Sequence, residues 1–331
     1  MNKLTKLTTR LSLSVGIVIL ILLPLFIKNP YTLYILIWVG ISIALASSLR
    51  VINLSGLLSL GHGGIMLIGA YISTLLVMRL GISSWISLVL AGFASGGFAC
   101  LIGFPFVRLK GIYFSMVTLF MTEMIILISE QWKSLTGGSA GIINIPHPDP
   151  IIIPRLININ FTSKVDLYYL MLVLTLATLL IIYLIEHSRI GLTWRTIRQD
   201  DSLAESIGIN TTAFKVLGFS LGCFLAGIFG AFYSQFFNVI HPQDFGFFFS
   251  IYILVYMIVG GRRHFVGPVL GVLILVLIPE LIGGLGGYRP FIFVAILMIV
   301  LYTLPDGLVS LPSRIMPKGF RNWCSKRFNR A

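Results

Sequence analysis

The sequence predicts an all-α integral membrane protein with about ten transmembrane helices and a short helix at the cytoplasmic surface. Three observations predict it. First, 57% of the 331 residues are hydrophobic and only 11% charged, more apolar surface than a soluble domain of this size can bury. Second, ten stretches approach the roughly 20 apolar residues that cross a hydrocarbon core about 30 Å thick. They run near 12–28, 31–49, 55–78, 85–107, 112–129, 166–185, 214–236, 247–260, 265–282 and 290–304. Third, the cations are placed asymmetrically. With the N-terminus cytoplasmic, six of the 24 Lys and Arg fall outside (Lys28, Arg79, Lys133, Arg155, Lys164, Arg289) and eighteen inside. That is the positive-inside bias of a bacterial inner-membrane protein with both termini in the cytoplasm. The net charge of +13 therefore reads as topology and not as nucleic-acid binding.

The first stretch follows Lys3, Lys6 and Arg10 and resembles a signal peptide, but Lys28, Asn29, Pro30 and Tyr31 follow it where a small-residue cleavage site belongs. It is read as a span, giving a basic segment with the first helix (1–30), a transmembrane body (31–305) and a basic tail (306–331). The third stretch differs from its neighbours, since Asn53 to Tyr71 holds five glycines, two serines and a histidine. Such a helix is broken or very tightly packed, and irregular backbone at membrane depth needs protein or a water-filled cavity around it. Ser59, Gly61 and His62 are therefore candidates to line a path, with His62 either lining it or capping the break. In the fifth stretch Glu123 lies near mid-span, where an ionisable group is a functional candidate, the alternative being a carboxyl paired inside the bundle. Glu280, beside Pro279, is placed at an interface.

Between the fifth and sixth stretches, Glu130 to Lys164 contains TGGSAGI at 136–142 and then Pro146, Pro148, Pro150 and Pro154. Glycine turns and stiff prolines predict an ordered external cap, too short for a ligand-binding domain. Gly137 and Gly138 are kept as candidates at its mouth. Along the seventh stretch Gly218, Gly222, Ala226, Gly230 and Ser234 recur every fourth residue, a small-residue stripe for helix packing inside the fold or against a second subunit. Shorter stripes occur at Gly92, Gly96 and Cys100 and at Gly267 and Gly271. Three cysteines without short spacing form neither a disulfide framework nor a metal site.

The densest mixed charge lies in one internal loop, Glu186 to Lys215. Arg189, Arg195 and Arg198 are followed by Asp200, Asp201 and Glu205. Ser202 is placed to cap a short helix with Glu205 at its third position, and Gly208 to end it. Leu203 and Ile207 then share one side of a surface helix that is either a connector or a knob for a cytoplasmic motor. The chain itself has no Gly-Lys dipeptide, hence no P-loop, and no HExxH zinc motif. No nucleophile with a credible base is found, so catalysis and a cofactor of its own have no support. The tail, with Arg314, Lys318, Arg321, Lys326, Arg327 and Arg330, reads as an anchor to membrane lipid.

The blocks LSLGHGGIMLIGAY (58–71), TGGSAGI (136–142), RIGLTWRTIRQDDSLAESIGIN (189–210), HPQDFGFFFSI (241–251) and GGRRHFVGPVLG (260–271) resemble, in order, those of the branched-chain amino acid ABC transporter permeases of the M subunit type. The resemblance covers roughly residues 30 to 305. After Gly260 and Gly261 this chain departs from it, with Arg263 and His264 where the family often has a glycine and then Ser or Thr. The resemblance implies an importer of two different permeases, two P-loop ATPases that bind the ATP, and an extracytoplasmic substrate-binding protein. It further implies that Arg195, Arg198, Ala204, Glu205, Ser206 and Gly208 lie in the segment that couples to the ATPase. Related permeases serve urea, short amides and other small polar solutes, and a secondary transporter using Glu123 is the rival reading from another class.

Overall fold

The computed structural model describes residues 29–153, 157–161, 163–262 and 264–281, with residues 20 and 22–24 and scattered positions between 291 and 310 besides. Its helices are α1 (Pro30–Leu54), α2 (His62–Leu80), α3 (Ser84–Phe106), α4 (Ile112–Gln131), α5 (Lys164–Glu186), α6 (Arg189–Gln199), α7 (Asp201–Ser206), α8 (Thr211–Phe237), α9 (Phe247–Gly260) and α10 (Gly267–Val272). α10 passes through a π-helical stretch, Leu273–Leu277, into Ile278–Leu281. Among the described residues seven helices are long and apolar enough to cross a bilayer: α1 to α5, α8, and α9 with the turn before it, Pro242–Gly260. The apolar segment Gly267–Glu280 is shorter. Of the ten expected spans, 12–28 lies largely, and 290–304 about half, outside the described residues.

Two boundaries differ from the expectation. α1 runs on to Leu54, and the next helix starts only at His62, so Ser55 to Gly61 is an unwound segment between two full spans. Local bonds end α1: the Ser55 hydroxyl donates back to the Ile52 carbonyl at 2.7 Å, and Gly56 takes φ 85°, open to glycine without steric cost.

α1 and α8 are the central helices, the most deeply buried of the long apolar helices. α8 packs on α3, α2 and α1, and α1 also meets α5, α9 and α10. The stripe on α8 does this packing within the fold. A Cβ on Gly222 would lie 2.5 Å from Ile52 of α1, and one on Gly230 would lie 2.1 Å from the Met66 carbonyl of α2. Gly92 and Gly96 of α3 meet Phe224 and Ile228 of α8 in the same manner. Helices in lipid gain little from hydrophobicity against each other, so backbone approach of this kind supplies the dispersion contact that holds them.

At the opposite end of the bundle from α6 and α7, four short strands close the segment after α4. β1 (Ile142–Ile143) pairs antiparallel with β4 (Val239–Ile240), Ile142 opposite Ile240, and β2 (Ile151–Ile153) pairs antiparallel with β3 (Ile157–Ile159). The segment is pinned from several sides. Arg79 Nη2 donates to the Ser134 carbonyl at 2.5 Å, Asp149 Oδ2 accepts from the Ser84 N–H at 2.7 Å, and Asn238 Nδ2 donates to the Ile145 carbonyl at 2.6 Å. Short strands and turns thus occupy the described residues of the segment expected to form a cap, in which residues 154–156 and 162 lie outside the described residues.

Candidate functional site

Side chains of the neighbouring helices support the unwound segment. The Ser115 hydroxyl donates to the Leu58 carbonyl at 2.5 Å, Thr118 Oγ1 accepts from the Leu60 N–H at 3.1 Å, and Ser59 Oγ accepts from the Gly61 N–H at 3.1 Å. Ser250 of α9 accepts from the Gly63 N–H at 3.1 Å. Each bond answers a backbone group freed by the break, as a low-dielectric surrounding requires. Gly61 packs closely on α4, where a Cβ would lie 2.9 Å from Met121 Cε and 3.2 Å from Thr118.

His62, the first residue of α2, is 1% exposed, and its Nε2 stands 2.9 Å from Ser48 Oγ of α1. Its Nδ1 has no hydrogen-bond partner. Ser59, Gly61 and His62 thus come together with Ser48, Ser115 and Thr118 in one buried polar patch between α1, α2 and α4.

Glu123 lies further along α4 than Ser115 and Thr118. It is half-buried, and no hydrogen bond or ion pair reaches it among the described residues. A Cβ on Gly246 would lie 4.0 Å from Glu123 Oε1. Gly137 and Gly138 shape the strand-end turn above α4 at φ 78° and 70°. Glu280 accepts a hydrogen bond from Tyr31 Oη at 2.5 Å. The run Gly137 to Gly141 spells the letters GxSxG, yet it sits on the 3₁₀ turn Gly138–Ala140 and not on the strand-to-helix elbow that such a nucleophile needs.

Where one short amphipathic helix is expected after α5, the chain builds two. α6 turns Gly191, Trp194 and Ile197 inward. Trp194 is fully buried and its Nε1 donates to the Phe214 carbonyl at 2.8 Å. The expected cap on Ser202 is displaced by two residues. Asp200, extended at φ −159°, caps α7: its Oδ1 accepts from the Ser202 hydroxyl at 2.6 Å and from the Ser202 and Leu203 N–H groups at 2.9 and 3.3 Å. A carboxylate facing three donors outcompetes a single hydroxyl. The same bonds, led by the Ser202 hydroxyl, hold the Asp200 carboxyl below the usual carboxylate range. Glu205, freed from the capping box, accepts from Thr211 Oγ1 at 2.6 Å.

Gly208 ends α7 as expected. At φ 84° its N–H meets the Glu205 carbonyl at 2.9 Å while Ile209 reaches the Ala204 carbonyl at 3.1 Å, the paired bonds of a Schellman motif. Ala204 is fully buried, Ser206 Oγ donates to the Leu203 carbonyl at 2.8 Å, and Lys215 Nζ pairs with Asp201 at 2.5 Å. Both helices are therefore tied to α5 and α8 as one arm. Leu192, Leu203 and Ile207 are 60%, 59% and 66% exposed on it.

A buried ion pair is absent from the sequence expectations. Arg50 near the end of α1 and Glu186 at the end of α5 are each 2% exposed and paired, Arg50 Nη2 donating to Glu186 Oε2 at 3.2 Å and Nη1 to Oε1. The half-exposed Arg195 of α6 stands 4.0 Å from the same carboxylate. The available signal was one arginine inside an otherwise apolar helix, since such groups rarely sit in a bundle unpaired.

No solved structure matches the chain. The High-affinity branched-chain amino acid transport system permease protein LivM of Salmonella typhimurium is 27% identical over 302 residues, covering 84% of this chain and 68% of the relative. LivM of Escherichia coli gives the same figures, and LivH of Escherichia coli is 26% identical over 282 residues, 79% of this chain and 88% of the relative. The family described as "Branched-chain amino acid transport system / permease component" matches residues 31–304, from α1 through α10 and beyond. With a match over that length, the chain belongs to this family of membrane permease components.

Proposed function

We propose that the chain is one permease of an ABC importer, forming part of the path by which branched-chain amino acids enter the cell. Its partners are a second permease, two P-loop ATPase subunits that bind the ATP, and an extracytoplasmic binding protein that meets the strand end. The chain needs no cofactor of its own. Residues 31–305 form the transport body in the bacterial inner membrane, with the arm and both termini cytoplasmic and the basic tail on the lipid surface.

The observation that carries this reading is the arm. Asp200 and Gly208 stop α7 at both ends, Trp194 and Ala204 anchor it inward, and three large apolar side chains face out where no described element covers them. An arm so braced transmits displacement instead of bending, and its exposed side chains suit a groove on a soluble partner. ATP binding draws the partner subunits together, moves the arm, and opens the bundle alternately to either side. A ligand shifts such an equilibrium only by binding the two states unequally, so the arm's contacts must change with nucleotide. The path runs along α4, between the polar patch at Ser59, Gly61 and His62 and the unpaired carboxyl of Glu123.

The test is co-purification. A tagged wild-type chain in mild detergent is expected to bring the second permease and P-loop ATPases, and Glu205→Lys to lose the ATPases while keeping the permease. Recovery of the chain alone in both cases would sink the proposal.

A further inference from the structure

We propose that Glu186, held between Arg50 and Arg195, is a positioning residue that ties the arm to the unwound segment Ser55 to Gly61, so that movement of the arm reaches that segment. The inference rests on reading the arm as the ATPase-facing lever. Its ground is geometric. Glu186 closes α5, Arg50 lies one turn before the end of α1, and Arg195 sits on α6, so one carboxylate joins three helices. The Arg50 guanidinium also lies 5.9 Å from the ring of Phe265, in the turn before α10.

A second seam runs beside the ion pair. A Cβ on Gly56 would lie 3.6 Å from the Cα of Arg198, so α6 touches the unwound segment directly. One on Gly218 would meet Ser55 at 3.0 Å and Trp194 at 3.3 Å, which places α6, α8 and the start of the segment in one contact. Gly191 fits against the backbone of Glu186 itself. From Ser55 to Gly61 the chain then leans on Ser115 and Thr118 of α4 through the bonds described above.

Stability alone does not ask for this pair. Two charges taken out of water give back in mutual attraction about what their desolvation costs, and well-packed apolar residues in their place are commonly neutral or stabilising. What a charged joint supplies is a fixed register between helices. With two cations on different elements, Glu186 keeps a partner in α1 while the distance to Arg195 changes as α6 tilts. The joint therefore survives a movement that a close-packed apolar contact would resist.

The test uses the complete transporter in proteoliposomes, comparing wild type with the double variant Arg50→Met, Glu186→Leu. Four quantities are read: retention of the ATPase subunits, thermal unfolding, ATP hydrolysis, and solute taken up per ATP hydrolysed. The double variant is expected to unfold at or above the wild-type temperature, to retain its ATPases and to hydrolyse ATP, while uptake per ATP falls about ten-fold, the size a coupling free energy carries. Uptake per ATP within about two-fold of wild type would overturn the proposal, since the pair would then be dispensable to coupling. Failure of the double variant to assemble would overturn it also, making the pair a support of the fold. Wild-type chain that retains no ATPase would instead sink the importer reading, a failure separable from that of Glu186.

Discussion

Asp200 illustrates how one side chain decides a helix boundary and carries a consequence for pH. Its carboxylate accepts the Ser202 hydroxyl and two backbone N–H groups, and these favour the charged form, so the folded carboxyl titrates below its unfolded value. The sign follows: a depressed pKa contributes stability that is present above the usual carboxylate range and is lost as pH falls through the folded pKa. The protection of the Ser202 and Leu203 amides, taken as exchange relative to the intrinsic rate at each pH, should therefore fall on acidification in the wild type, and Asp200→Asn should remove that dependence. Protection with the same pH dependence in both chains would contradict the capping account. The sequence offered Ser202 as the cap because serine followed at the third position by Glu is a familiar pairing. Asp200 won through charge, a comparison that residue spacing does not contain.

At the scale of elements, the apolar runs placed α1 to α5 and α8 because each length matches a bilayer and each is bounded by polar residues, and α9 reaches that length only with the turn before it. Glycine and serine density flagged the irregular backbone before α2. Its extent was not legible, since bonds from Ser115, Thr118 and Ser250 decide it and lie on other helices. The α8 stripe was legible as a packing face, and the structure assigns its partners. Gly230 takes the Met66 carbonyl of α2 so closely that no side chain fits. Gly230→Val should therefore force the two helices apart, costing about 1–3 kcal/mol or more as overpacking does. Thermal unfolding in detergent would read it, and a chain as stable as wild type would show that α2 and α8 do not meet there.

For the whole molecule, charge placement and hydropathy carried the class, and the motif blocks carried the family that the match over residues 31–304 establishes. The Arg50–Glu186 pair was beyond reach because its members stand 136 positions apart, and a topology count treats each charge alone. The candidate site was legible in parts: Ser59, Gly61 and His62 gather in one patch, while no hydrogen bond joins Glu123 or the strand-end glycines to it among the described residues. The central claim is that transport through this chain is driven by ATP on separate subunits. The measurement that tests it is uptake of radiolabelled leucine into proteoliposomes holding this chain and its second permease, with the ATPases and binding protein supplied or withheld. Uptake that requires ATP, the ATPases and the binding protein together is the predicted result. Uptake that persists without the ATPases and follows a proton gradient, lost in Glu123→Gln, would contradict it.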